Sequence, residues 1–131
     1  MVLPRRSFIA SILPATQSPK AGSSTSDGWN ASIAANAAGN AFVTWSSTDA
    51  TNNINAQVVF SGKQNADTSI PAGVVGVTSS TFYNPSNNPT ERWGDYSAIT
   101  IDPSSTSKAW LVNEKINSTT VWGSQIMQVS L

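Results

Sequence analysis

The residues best suited to chemistry lie within one short stretch of this 131-residue chain, from Glu91 to Tyr96. The stretch combines two carboxylates, an arginine and a tyrosine, namely Glu91, Arg92, Asp95 and Tyr96. An arginine can hold a ligand carboxylate through paired hydrogen bonds. Carboxylates and a tyrosine can supply the acid, the base and the nucleophile of glycoside hydrolysis. Arg92, Asp95 and Tyr96 are therefore candidate catalytic residues.

The same stretch also has a structural interpretation. Arg92 would pair with Asp95 or Glu91, and Asp95 would accept hydrogen bonds from a turn. Trp93 and Tyr96 would pack between sheets. We favour this interpretation because buried turns normally need such partners.

The sequence contains neither cysteine nor histidine. This excludes disulfides, iron–sulfur clusters, thiolate and imidazole metal sites, cysteine nucleophiles and the Ser-His-Asp triad within the chain. The loop from Asp49 to Asn55 is rich in oxygen ligands, but no second carboxylate lies nearby, so an ordinary polar turn is predicted there. With no phosphate loop or dinucleotide fingerprint either, we expect no metal and no cofactor.

Charged residues make up only 11% of the chain, seven basic and seven acidic. This balance does not favour nucleic acid or an anionic membrane surface as a partner. No apolar run approaches the roughly 18 residues that a membrane-spanning helix needs, so no integral membrane segment is expected. The neutral composition, rich in hydroxyl and amide side chains, is common in secreted β-proteins and predicts a secreted or extracytoplasmic location.

Residues 1–26 are predicted to form an N-terminal strand and loop. The motif Arg5-Arg6-Ser7-Phe8-Ile9 resembles a twin-arginine export signal. The favoured alternative is a strand over residues 7–13 that begins where a longer parent sequence was cut.

Residues 27–131 read as an all-β region of antiparallel sheets. Short runs of β-branched and aromatic residues alternate with turn residues, and apolar residues do not recur at helical spacing. The predicted strands are residues 31–35, 41–46, 55–61, 74–80, 96–101, 109–113 and 126–131.

Two of the predicted hairpins repeat each other. Residues 32–43 line up with residues 98–111, and the first strand of each ends in Asn36 or Asp102. Such side chains can accept hydrogen bonds from the N–H groups of a turn. Copies separated by roughly 40 to 70 residues are compatible with propeller blades. Chance similarity between generic hairpins is the alternative.

Several motifs occur together over residues 27–126. They are Arg92-Trp93-Gly94-Asp95-Tyr96-Ser97, Ile101-Asp102-Pro103, Ala109-Trp110 with Asn113-Glu114, and Trp122-Gly123 with Ile126. Together they resemble the closing blades of bacterial secreted β-propellers of the sialidase-like, BNR-repeat type, and residues 32–43 resemble the preceding blade. The Asp-box motif of that family is missing, and residues 26–29 match it only in part.

The resemblance implies about two blades of a partial propeller. Propellers close with about four to eight blades, so this chain is expected to be a fragment of a longer propeller. Otherwise it would have to associate with copies of itself or with the rest of a longer propeller. The resemblance also implies a sialidase-like site with an arginine cluster, a tyrosine nucleophile and an acid–base aspartate. Arg5, Arg6 and Arg92 are the only arginines present.

Five tryptophans are numerous for a chain of this length. Trp45 and Trp110 fall inside predicted strands and are expected in the core. Trp29, Trp93 and Trp122 border glycine or turn residues and are the candidate ligand-binding residues for a glycan, although packing is the favoured role.

We predict a non-catalytic structural or glycan-binding part of an extracytoplasmic sialidase-like propeller. The alternatives are a fragment of an exo-sialidase-like glycoside hydrolase and a self-contained β-sandwich adhesion module.

Overall fold

The computed structural model describes residues 24–131, which form seven strands and one short 3₁₀ helix over Ala50–Asn52. The strands are β1 (Asp27–Ala35), β2 (Ala41–Asp49), β3 (Ile54–Lys63), β4 (Val74–Thr78), β5 (Ser97–Ile101), β6 (Lys108–Ser118) and β7 (Val121–Ser130). The predicted strand over residues 7–13 and the motif that resembles an export signal lie outside the described residues. No helix within residues 24–131 has the length and apolar character needed to cross a membrane.

The strands form two antiparallel sheets. Sheet A has the order β1-β2-β3-β4, and sheet B has the order β5-β6-β7. The prediction of an all-β fold built from antiparallel sheets is therefore confirmed. Neither sheet closes on itself within residues 24–131, so the propeller stays a prediction.

The last hairpin is longer than its sequence pattern indicates. The pattern predicts strands over residues 109–113 and 126–131, whereas β6 continues to Ser118 and β7 begins at Val121. The extra pairs include Lys115 opposite Gly123 and Ile116 opposite Trp122. Polar residues in this part hide the alternation, and the tight turn between the strands fixes the register instead.

The core lies between the two sheets. Its buried cluster takes Phe42 and Val58 from sheet A and three residues from sheet B, Ala109, Leu111 and Val129. Burial of each Phe, Leu or Val side chain in this cluster stabilises the fold by about 1.5–3 kcal/mol. A polar contact crosses the same interface, where the Ser46 hydroxyl donates to Asn113 Oδ1 at 3.1 Å.

The opposite side of sheet A is covered by the segment that connects β3 to β4. Val43, Trp45 and Val59 form a second buried cluster there, with Ile70 packed against it. A Cβ atom at Gly73 would lie 2.3 Å from the Trp45 ring, so the chain passes very close to this cluster. This side of sheet A is therefore partly closed.

The outer face of sheet B, which we define as the face turned away from sheet A, is open. Ala98, Val112 and Ile126 pair across the three strands and form an apolar row on this face. Ile126 is 65% exposed and Trp110 is 42% exposed. The prediction that Trp110 lies in the core is wrong, because strand alternation places it on the opposite face from buried Leu111.

The predicted repeat corresponds to two equivalent hairpins, β1–β2 and β5–β6. Asn36 Oδ1 accepts from the N–H groups of its turn at 3.0 and 3.1 Å, and Asp102 Oδ1 accepts from the Ser104 N–H at 2.8 Å. Phe42 points from sheet A toward sheet B, whereas its counterpart Trp110 points from sheet B away from sheet A. Equivalent positions thus face the same direction, so the sheets stack head to tail.

Candidate functional site

A pocket of about 190 Å³ lies at the end of the outer face of sheet B, beneath the segment that enters β5. It is lined by Arg92, Trp93, Gly94, Asp95, Tyr96, Glu114 and Trp122. Of the six site residues named from the sequence, only Trp29 is absent from this lining. The fold therefore brings the candidate catalytic and ligand-binding residues into one place.

The segment that carries the pocket is tied to both sheets. Buried Ser79 donates its N–H to Ala56 O at 2.8 Å, and its hydroxyl accepts from the Ile116 N–H at 3.0 Å. Further along, the Asn84 N–H donates to Thr119 O at 2.7 Å, at the turn of the β6–β7 hairpin. These bonds fix where the segment starts across sheet B.

Glu91 serves the loop rather than the pocket. Its Oε1 accepts from the Ser86 hydroxyl and, at 2.9 Å, from the Ser86 N–H. The hydrogen bond from the Ser86 hydroxyl, followed by the one from the backbone, lowers the pKa of Glu91. Glu91 is not part of the pocket lining, so it is not available as a catalytic partner there.

Gly94 is the glycine of this segment with a positive φ. Its φ of +80° lies in the left-handed region, which glycine adopts without steric cost. Its N–H donates to Glu114 Oε2 at 2.9 Å, and its carbonyl accepts from the Asn30 side-chain amide. A Cβ atom here would lie 2.9 Å from Trp29 Nε1. Only glycine fits this position without strain.

Trp29 contacts Trp93, which belongs to the pocket lining. Its ring meets the Trp93 ring edge to face, with centroids 6.4 Å apart and planes at 76°. This is a favourable aromatic geometry. Trp29 thus packs on Trp93, in agreement with the favoured packing role, and its role in ligand binding stays a prediction. The Trp93 Nε1 atom is buried and has no hydrogen-bond partner among the described residues.

Arg92 pairs with Asp95, as the structural interpretation expects. Both Nε and Nη2 of Arg92 lie 2.6 Å from Asp95 Oδ2. The Arg92 side chain is 85% exposed and that of Asp95 is 37% exposed. A pair this exposed contributes little to stability, because water and salt screen it. The pair places hydrogen-bond donors and acceptors at the pocket.

Tyr96 is exposed rather than packed between sheets. It is 73% exposed, and no hydrogen bond joins its hydroxyl to another described residue. A tyrosine nucleophile needs a nearby base to take its proton.

Arg92 is the only arginine in residues 24–131, so the arginine cluster that the resemblance implies is not present in the described part.

Besides Gly94, Glu114 is the lining residue that was not among the candidate site residues. It is buried at 7% exposure on β6, with its Oε2 on the Gly94 N–H. The sequence signal for it was weak, because Glu114 directly follows the strand predicted over residues 109–113 and charged residues are rarely buried without a specific partner. With Arg92 contributing one positive charge and Asp95 and Glu114 one negative charge each, the lining has a net formal charge of −1.

The oxygen-rich loop after β2 is a capped turn. Asp49 is 2% exposed and accepts from the Thr25 hydroxyl at 2.9 Å and from the Asn52 side chain at 2.8 Å. Within the described part of the chain, no group of three acidic, histidine or cysteine side chains is placed to hold a metal ion.

Comparisons with models of protein families, with curated proteins and with solved structures each found no match to this chain. The resemblance to sialidase-like propellers therefore stays a prediction that depends on the motifs.

Proposed function

We propose that this chain is a non-catalytic, glycan-binding part of an extracytoplasmic protein. The observation that carries the proposal is the pocket, where the exposed rings of Tyr96 and Trp122 stand beside the Arg92–Asp95 pair. Aromatic rings provide rigid apolar surface for the C–H face of a sugar. The ion pair offers both donors and acceptors for sugar hydroxyls. Trp122 is 50% exposed, so its ring is accessible for stacking.

The hydrolase alternative has less support from the same geometry. Arg92 is engaged by Asp95, and Tyr96 has no base at its hydroxyl among the described residues. Glycoside hydrolysis by a nucleophile needs an acid and a nucleophile on opposite sides of one bond. Asp95 is instead held in an ion pair by Arg92.

The architecture that we propose is two sectors of a sialidase-like β-propeller. Two observations support it: equivalent residues of the sheets face the same direction, and the outer face of sheet B carries an uncovered apolar row. A further sheet, stacked in the same direction, would cover that row as sheet B covers sheet A. The self-contained sandwich, by contrast, would leave Ile126 and Trp110 in water.

The test of glycan binding is an array of oligosaccharides probed with wild-type protein and two variants. Trp122→Ala removes the stacking ring, so we expect binding to be lost. Trp110→Ala is the matched control, because Trp110 is similarly exposed on the same face but lies outside the pocket lining. Circular dichroism must show that both variants are folded. Equal binding by wild type and Trp122→Ala would contradict the proposal.

The non-catalytic assignment is tested with a fluorogenic sialoside. We expect no turnover above the rate without protein. Turnover that Arg92→Ala abolishes while the variant remains folded would instead establish the hydrolase.

A further inference from the structure

We infer that the pocket selects uncharged glycans and rejects carboxylated ones. The inference rests on the proposed function, because it concerns the ligand class of the same pocket. It departs from the sialosides that the sequence resemblance suggests. Three features of the lining carry it: the pairing of Arg92, the charge of Glu114 and the arrangement of aromatic and polar groups.

Arg92 is already occupied by a carboxylate of the protein. Two of its nitrogens, Nε and Nη2, converge on Asp95 Oδ2 at 2.6 Å. A ligand carboxylate would either displace Asp95 from Nε and Nη2, which leaves Asp95 without its cation, or bind the remaining N–H groups close to the like charge of Asp95. Sugar hydroxyls need no such exchange, because they can accept from the remaining N–H groups of the guanidinium.

Glu114 adds a second negative charge that no described cation balances. No ion pair joins Glu114 to another described residue, and the hydrogen bond to its carboxylate in the pocket comes from the neutral Gly94 N–H. At 7% exposure this carboxylate is poorly screened by water. It would repel the carboxylate of a ligand.

A neutral sugar meets compatible groups on each side. Its apolar C–H face packs on Trp122 or Tyr96, while its hydroxyls donate to Asp95 and accept from Arg92. These interactions do not depend on a ligand charge. The pocket is therefore complementary to a neutral ring and carries a like charge toward an acidic one.

The experiment uses a paired array, in which each neutral oligosaccharide is printed beside the same oligosaccharide capped with sialic acid. We expect neutral members to bind, and their capped partners to bind about tenfold more weakly, since close like charges interact by about 1 kcal/mol or more near a protein surface. Capped members that bind as well as or better than their neutral partners would overturn the inference and leave glycan binding intact. Loss of signal for every oligosaccharide would overturn the proposed function and the inference with it.

A charge-changing variant tests the cause of the selectivity. The double variant Asp95→Asn with Glu114→Gln changes the formal charge of the lining from −1 to +1, frees Arg92, and keeps an oxygen acceptor for the Gly94 N–H. We expect the ratio of neutral to capped binding to fall by about tenfold or more. Asp67→Asn, which removes one negative charge outside the pocket lining, is the control and should leave the ratio unchanged. An unchanged ratio in the double variant would overturn the electrostatic explanation.

Discussion

The head-to-tail stack makes a quantitative prediction for two residues that point in the same direction, one from each sheet. Val58 on β3 lies in the core between the sheets and is fully buried, whereas Ile126 on β7 lies on the outer face of sheet B and is 65% exposed. Each is to be replaced by alanine. The two substitutions differ in environment much more than in chemistry.

The expected costs follow from burial. Val58→Ala removes two buried methyl groups and leaves a cavity, so the free energy of unfolding should fall by about 2–3 kcal/mol. Ile126→Ala removes more carbon, but only about a third of it is shielded from water, so the loss should be under about 1 kcal/mol. Urea denaturation monitored by tryptophan fluorescence measures both, and an unchanged m-value shows that only stability has changed.

The measurement is to be repeated after tenfold dilution. If Ile126→Ala costs as much as Val58→Ala, or if its cost depends on protein concentration, the outer face of sheet B is covered in solution and the account of an open stack is wrong. A cost for Val58→Ala below that of Ile126→Ala would contradict the placement of the core itself.

Further predictions concern the turns. Gly94→Ala should destabilise the protein by about 1–2 kcal/mol or more and weaken glycan binding, because the φ of +80° is strained for alanine and the new Cβ meets Trp29; Gly123→Ala, which meets only the flexible Asn117 side chain, should change neither in the same assays. The hydrogen bond from the Ser104 hydroxyl, followed by those from its N–H and from Trp110 and Gln128, lowers the pKa of Asp102 to about 2. Because this pKa is below that of the unfolded chain, the stabilisation is present above pH ~4 and is lost as the pH falls from about 4 to about 2. In thermal melts, Asp102→Asn should therefore be less stable than wild type at pH 5, with the difference shrinking toward pH 2; a constant difference would contradict the assigned role.

Much of the fold could be predicted because strand signals are local. The segment from Ala41 to Ser46 is rich in β-branched and aromatic residues, and β2 begins at Ala41 as expected. The caps Asn36 and Asp102 were visible as single residues at the ends of predicted strands. The end of β6 was not, because Lys115 and Asn117 are polar and their strand conformation depends on pairing with β7.

The site was predictable in part for the same reason. Arg92, Asp95 and Tyr96 are neighbours in sequence, so their proximity follows from the chain itself. Trp122 and Glu114 join them through the β6–β7 pairing, where Glu114 lies opposite Ser124. The contact between Trp29 and Trp93 could not be predicted, because it depends on a bulge in β1 at Asn30, with a φ of +49°, that local patterns do not reveal.

Tryptophan indole resonances report directly whether this pocket binds a glycan. A ¹H–¹⁵N spectrum resolves the indole N–H of each tryptophan, and a neutral oligosaccharide from the array is titrated into the labelled protein. We expect the resonances of Trp122 and Trp93 to shift while that of Trp45, buried on the far side of sheet A, does not move. Shifts confined to other tryptophans, or none at saturating sugar, would contradict the proposal.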